Sequence, residues 1–524
     1  MTAAVLIAPI VTRPSDFHRS PALPSLGPDS DAAFPRREGG AVTMPAVANP
    51  EHWKLLGTPG WNEWRVANAN VTPDLTGADL AGMDLSGKDL KRSDLTRADL
   101  SRATLAGTDF TRATLRHSKW EGAQAAGAIF EHCELDFLDF GKVFFAGARF
   151  RSASLQSCSL AGTDLAGADL SFTRLEGADL SNANLAGAVL KDVNFRGVKL
   201  TGAQFDGADL SRAVFEGLAA QRGSFANANF AGANLKGCDL TGADLRRARF
   251  TGAILRQASL SAADCERAEF TEADLELVTA AEANFTAAGF DRAKVRKADL
   301  RKAIFLDAGG SDVSFAEAKL TEVDLRSARF EKANFQGADL SKAILRRANL
   351  KPYSFVGASF SGADLGEAQA EGVNFSRADL SLGSFRQANL KRADFSGCRG
   401  FEVDLSGCLL IGARFEGAVL HDADLRFARA IGADFTNADL KGADLANSDF
   451  TEAVFKKTRF WGATARRAKP PKGKSLLFSL STSFSKAKQK KTKAADEKEA
   501  KRQKRIADLE AQAAKNPPHR TGRR

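Results

Sequence analysis

One tyrosine, three methionines and six histidines in 524 residues leave little from which to build a catalytic centre. No apolar run approaches the ~20 residues that cross a bilayer, which excludes a transmembrane helix. The apolar stretch at residues 1–11 is short and has no Lys or Arg ahead of it, so a secretory signal is not expected. The six cysteines show no CxxC spacing, which argues against a metal cluster or a disulfide framework. Gly-x-Ser-x-Gly and nucleotide fingerprints are missing, and Gly309-Gly310-Ser311-Asp312 lacks the Lys-Ser/Thr of a phosphate loop; it reads as a loosened corner. An enzyme, a cofactor and a small-molecule substrate are therefore not expected.

What is abundant is periodic: 37 Phe, 45 Gly and many Ala and Leu. From Leu75 to Phe460 every residue numbered by a multiple of five is Leu or Phe at 68 of 78 positions, with no shift of register. Numbering the slots of each unit so that this residue is the fifth, the third slot is Ala in 50 of the 78 units, and the fourth is mostly Asp or Asn, as in Ala78-Asp79-Leu80. The second slot takes 30 of the 45 glycines. Period five fits neither a 3.6-residue helix nor a long alternating strand. It fits a chain that turns a corner every five residues, with the third and fifth side chains pointing in and Gly relieving the corner. Four such sides close a coil of twenty residues, and parallel stacking gives a rod about 90 Å long at ~4.8 Å per strand.

An uninterrupted Ala-Asp/Asn-Leu/Phe-x-x pattern resembles the pentapeptide-repeat family over about three quarters of the chain. The resemblance implies an all-β, right-handed quadrilateral parallel β-helix. It also implies a non-enzymatic binding or scaffold role, with DNA mimicry toward a topoisomerase as the alternative.

The register disposes of the reactive residues. Cys133, Cys158, Cys238, Cys398 and Cys408 take the third slot and Cys265 the fifth, so all six should face the core, as in a reduced intracellular protein. His117, His132 and His421 fall in outward slots. Two stretches break the pattern. In residues 116–145, Trp120 and Ala125 replace Leu/Phe, and Leu138 and Val143 replace the small residue. In residues 350–355, Pro352 adjoins the only tyrosine, Tyr353, and should sit at a corner or bulge. Both are candidate partner sites, with local packing as the plainer alternative.

Four segments follow: a Pro-rich, disordered leader at 1–50, a helical cap at 51–72, the β-helix at 73–462 and a basic, partly helical tail at 463–524. Met44 is a candidate start for a shorter chain. In the cap, Thr58 and Pro59 are expected to open a helix whose Trp61 and Trp64 cover the first coil. Trp461 with Phe460 is expected to close the far end. Residues 462–524 hold 19 Lys+Arg against five Asp+Glu, whereas 73–461 hold 49 against 53. The tail, with Lys486, Lys488, Lys490 and Lys491 after a short apolar patch, is a candidate anchor to nucleic acid or an anionic membrane.

On the rod, one wall is expected to carry Arg246, Arg247, Arg267, Arg326, Arg346, Arg347, Arg386 and Arg426, broken by Glu266, Asp307 and Glu367. A protein partner is expected along the walls. The nearly balanced charge of the rod speaks against DNA mimicry, which needs an acidic surface. The expected location is cytoplasmic, peripheral to membrane or nucleoid, with a secreted effector as a further alternative.

Overall fold

The computed structural model describes residues 49–351 and 353–471. The leader up to residue 48, Pro352 and the tail from residue 472, including Lys486, Lys488, Lys490 and Lys491, lie outside the described residues.

Each five-residue unit makes one side of a coil. The fourth residue forms a parallel bridge to its equivalent twenty residues on, from Asp74↔Asp94 to Asp449↔Lys469, so four sides complete a turn. The hydrogen bonds repeat with the unit: Asp99 N–H donates to Ala78 O (2.9 Å) and Leu80 N–H to Asp99 O (2.8 Å). The first and second residues turn the corner, and the second adopts a left-handed backbone, as at Gly107 (φ 64°) and Arg247 (φ 59°). Only glycine enters that region without a steric penalty, which is why it collects in this slot.

Third and fifth side chains fill a narrow core along the rod axis. Phe230, Phe250 and Phe270 stack ring on ring at 5.0 Å, and Phe375, Phe395, Phe415 and Phe435 form a second such column. All six cysteines are buried. Several third-slot donors bond backbone carbonyls, either of the coil below, as Cys133 Sγ to Phe110 O (2.9 Å) and Thr108 Oγ1 to Leu85 O (2.7 Å), or of their own coil, as Thr163 Oγ1 to Leu160 O (2.6 Å).

The irregular stretches are resolved by packing. Trp120 is buried edge-on against Phe110, Phe130 and Phe140, and its indole N–H donates to Ser118 Oγ at 2.7 Å. Gly309-Gly310-Ser311 is not a loosened corner: Gly309–Ser311 (β1) pairs in parallel with Arg329–Glu331 (β2). At Gly310 (φ 151°) an added Cβ would meet Phe290 C at 2.7 Å, so the coil beneath leaves no room for a side chain. One coil beyond β2, Tyr353 is buried, and its hydroxyl accepts from Phe330 N–H (3.1 Å). That oxygen stands where the regular ladder would supply a carbonyl, and the Arg329–Asn349 bridge is missing there.

Two short helices precede the first coil, α1 (Pro50–Leu56) and α2 (Trp61–Ala67). Thr58 does not open α2: its hydroxyl donates to Leu55 O (2.8 Å), closing α1, and the N-cap of α2 is Gly60. The helices meet the first coil through backbone groups that have no coil below them. Trp61 Nε1 donates to Asp89 O (2.7 Å), Asn62 Oδ1 accepts from Asp89 N–H (2.9 Å), and Arg65 donates to Lys91 O (2.8 Å). Trp61 and Trp64 are buried over the end of the core.

At the other end the coil does not stop at 462. Arg459, Thr464 and Lys469 still bridge to the coil beneath. Trp461 is a corner residue, 67% exposed, with Lys441 Nζ 5.0 Å from its ring centroid, so it does not cover the end of the core.

Candidate interaction surfaces

A rod of this kind offers two sorts of surface: walls made of fourth-slot side chains, and corners made of first- and second-slot ones. On the walls, Asp and Asn carboxyl or amide oxygens mostly turn back to their own corner. Asp379 Oδ1 accepts the N–H of Ser381 (3.0 Å) and Asn229 Oδ1 that of Ala231 (3.2 Å). The short side chain thus satisfies a backbone donor that the turn would leave bare. Hydrogen bonds from Ser181 hold the Asp179 carboxyl below its ordinary value. These carboxylates are structural acceptors, spaced along the ladder and not paired for acid–base work.

The arginines expected on a wall stand instead on one corner, because the two residues after each Leu or Phe make the turn. There they are mostly neutralised. Arg246 forms a two-pronged pair with Asp244 (2.8 and 2.5 Å), and Arg326 and Arg426 repeat it with Asp324 and Asp424. Arg346 and Arg347 converge on Glu367 (2.5 and 2.8 Å), whose carboxyl they hold below its ordinary value. Arg386 lies 3.9 Å from Asp404 and Arg267 3.7 Å from Glu266. Arg247 alone of the set has no acidic partner among the described residues. The Asp-Leu-Arg spelling of residues 244–246, 324–326 and 424–426 is the sequence signal for these forks, and the stripe reading passed over it.

Ion pairs across coils follow the same rule elsewhere, as in Arg212–Asp192 and Lys199–Asp179. Each exposed pair contributes little stability. Together they cancel the field that a free polyanion would feel.

Nothing in the described residues resembles a reactive site. The buried thiols are inert, with Cys133, Cys158 and Cys238 pushed up to about 12 by burial. No group of three or more His, Cys, Asp or Glu among the described residues is placed to hold a metal. His117 and His132 are exposed on corners, and His421 Nε2 lies 3.2 Å from Asp439. A shallow polar depression between Asn194, Arg196, Val214 and Glu216 lies open on one side of the rod.

The repeat recurs in known proteins. The profile of the pentapeptide repeats matches this chain in successive segments from 74–112 to 433–469. Its gaps at 218–223, 306–310, 352–357 and 398–400 contain Ala220, Gly310, Tyr353 and Gly400, where the inward pattern is broken. Among curated proteins none matches. Solved structures include a pentapeptide repeat protein of the Arabidopsis thaliana thylakoid lumen, 33% identical over 18% of this chain and 65% of that one, at a TM-score of 0.17. The matched part therefore spans about two thirds of the plant protein. HetL of Nostoc sp. strain PCC 7120, involved in heterocyst differentiation regulation, is 28% identical over 43% of this chain and 88% of its own, at 0.17. Full-length QnrB1, a plasmid-mediated fluoroquinolone resistance protein, is 17% identical over 43% and 91%, at 0.14. With the repeat matched over well more than half of its length, the chain belongs to the pentapeptide-repeat family.

Proposed function

We propose that this protein is a non-enzymatic scaffold: a right-handed β-helical rod that presents its walls to a macromolecular partner, with the basic C-terminal region as its anchor. The observation that carries this reading is the twenty-residue register of the walls, which is kept on both sides of the few missing bridges. Fourth-slot side chains from Asp74 to Lys469 stand one strand spacing apart, about 4.8 Å, in four parallel columns. Such an array suits many weak contacts in a line and offers no enclosed place for chemistry. A protein partner fits the walls best, because their charges are already matched within the rod. The cytoplasm is the expected setting, at the periphery of membrane or nucleoid.

The alternative, a DNA mimic that regulates an enzyme such as a topoisomerase, draws support only from the first coils. There Asp74, Asp79, Asp84 and Asp89 occupy all four walls. Further along, arginine and lysine offset the acids.

The scaffold reading is tested with a photo-crosslinking amino acid placed singly at Ser259, Asp299 and Ser359 on one wall, at Ser314 and Ser354 on the next, and at Asp79 and Asp84 in the first coils. The same partner captured from several positions of one wall supports it. Capture confined to the first coils by a DNA-binding enzyme favours mimicry, and no capture at any wall position contradicts the scaffold.

A further inference from the structure

On one side of the rod, between residues 382 and 427, the pairing of charges lapses. Second-slot carboxylates are mostly matched by a cation one coil away, as in Asp192–Arg212, Glu272–Arg292, Glu322–Lys342 and Glu367–Arg347. Glu402 and Asp422 instead follow one another along one corner, with Leu382 before them and Gly442 after. Neither forms an ion pair among the described residues. On the adjoining wall Asp404 and Asp424 reach Arg386 (3.9 Å) and Arg426 (2.6 Å). Asp444 takes the Ala446 N–H (3.0 Å) and the Thr464 hydroxyl (2.6 Å). Like charges stacked at strand spacing repel, so this side is suited to receive cations.

The same side exposes large apolar side chains. Leu382 is 56% exposed, Phe401 46% and Phe427 61%. Leu382 and Phe427 hold left-handed backbones (φ 61° and 60°), which glycine would enter without cost. Leu382 and Phe401 share the corner of Glu402 and Asp422, where Phe401 meets the His421 ring edge-on at 5.0 Å. Phe427 stands at the far edge of the wall.

Carboxylates between apolar rails fit a segment that combines lysine with leucine and phenylalanine, and this chain contains one. Residues 472–491 hold six lysines and no acid, with Leu476, Leu477, Phe478, Leu480 and Phe484 among them. Residue 471 lies three and a half coils beyond Phe401, about 17 Å along the axis. Phe478 and Phe484 follow it by roughly 23 and 43 Å of extended chain, enough to reach. The leader up to residue 48 joins the opposite end and balances four Arg with four acids. An anionic lipid or nucleic acid surface has the wrong charge for this side. We propose that segment 472–491 docks here on its own rod, apolar side chains against Leu382, Phe401 and Phe427 and lysines beside Glu402 and Asp422. This rests on the anchoring half of the reading above and adds its regulation: Lys486, Lys488, Lys490 and Lys491 are occupied while docked, so an anionic surface must compete for them.

Benzoylphenylalanine in place of Phe401 in the full chain, irradiated and mapped by mass spectrometry, provides the test. It should link to residues 472–491 of the same molecule, with a yield independent of protein concentration. The same group at Leu277, an exposed corner about six coils away, should not. No link to the segment, or equal links from both positions, overturns the proposal. A yield that grows with concentration also overturns it, in favour of a second copy.

In the variant F401S/E402Q/D422N, trypsin should cut after Lys486 to Lys491 roughly tenfold faster, the loss expected when a half-exposed phenylalanine gives up its contact. Equal cutting contradicts the docking. Ser406 and Asn437 already occupy such slots, so the melting curve should match wild type. The crosslink keeps an aromatic ring at 401 and decides even if this variant misfolds. Flotation with phosphatidylserine vesicles separates the two readings. Tighter binding by the variant supports docking and equal binding contradicts it; if neither protein floats, the anchoring reading falls and the crosslink alone judges the docking.

Discussion

At the scale of the residue, the second slot shows how conformation outranks chemistry. The corner demands a left-handed backbone, and where glycine is not used, Arg, Lys, Asp, Glu and even Phe are held there. Ala262 isolates the cost, because it is exposed at φ 54° and its methyl has no polar partner to compensate. Ala262→Gly should stabilise the rod by about 1 kcal/mol, the penalty of a Cβ in this region. Paired urea melts of variant and wild type read the difference directly, and a destabilised variant would contradict the account of the corner.

The same scale explains what could be read in advance. Inward slots were legible because burial permits little choice: a large residue and a small one alternate for nearly four hundred residues. The outward pairing was not. Whether Arg246 faces a ligand or Asp244 depends on side-chain reach across a corner, and periodicity alone does not encode it.

At the scale of the element, the ends differ from the repeats because a terminal coil leaves backbone groups without partners. α1 and α2 meet that need on two sides of the first coil, and His52 contributes as an acceptor: its Nδ1 takes the N–H of Asp74 at 3.1 Å. Only the neutral ring with its proton on Nε2 can do so. Burial lowers the His52 pKa from 6.5, against the opposing pull of Asp74 and Glu51 and with Arg65 adding to the lowering. A lowered native value means the folded cap prefers the neutral ring. Its contribution is complete above the unfolded value of 6.5 and is lost as pH falls through the lower native one.

Hydrogen exchange at Trp61 and Trp64 should therefore quicken between neutral pH and pH 5, beyond the intrinsic change, and the extra effect should vanish in His52→Gln. Identical profiles for the two proteins would show that His52 is a bystander. Sequence pattern located this cap but placed its start wrongly: Thr58 and Pro59 have the chemistry of a helix opening, yet the hydroxyl turns back to Leu55. Trp461 misled in a related way, since an aromatic residue after the last regular Leu/Phe looks like a lid until the ladder is followed to Lys469.

At the scale of the whole molecule, the fold is a sum of nearest-neighbour contacts between coils. The four walls are continuous only because twenty residues make one turn without slippage. Seams at Trp120 and at Tyr353 show that the stack absorbs a misfit in one coil by rearranging the next, so local irregularity does not propagate.

The central claim is that five residues turn one corner and twenty restore the wall. Thermal unfolding by circular dichroism of three deletion variants tests it most directly: one lacking residues 376–395, one lacking 376–380 and one lacking 376–378. The first should melt cooperatively near the wild type, since every column realigns. The second should keep the fold but lose stability, because the coils above turn by one side and their ion pairs with the coil below are lost. The third should unfold at far lower temperature, because fifth-slot residues above the cut move out of the core. Equal melting of the first and third variants would contradict the account.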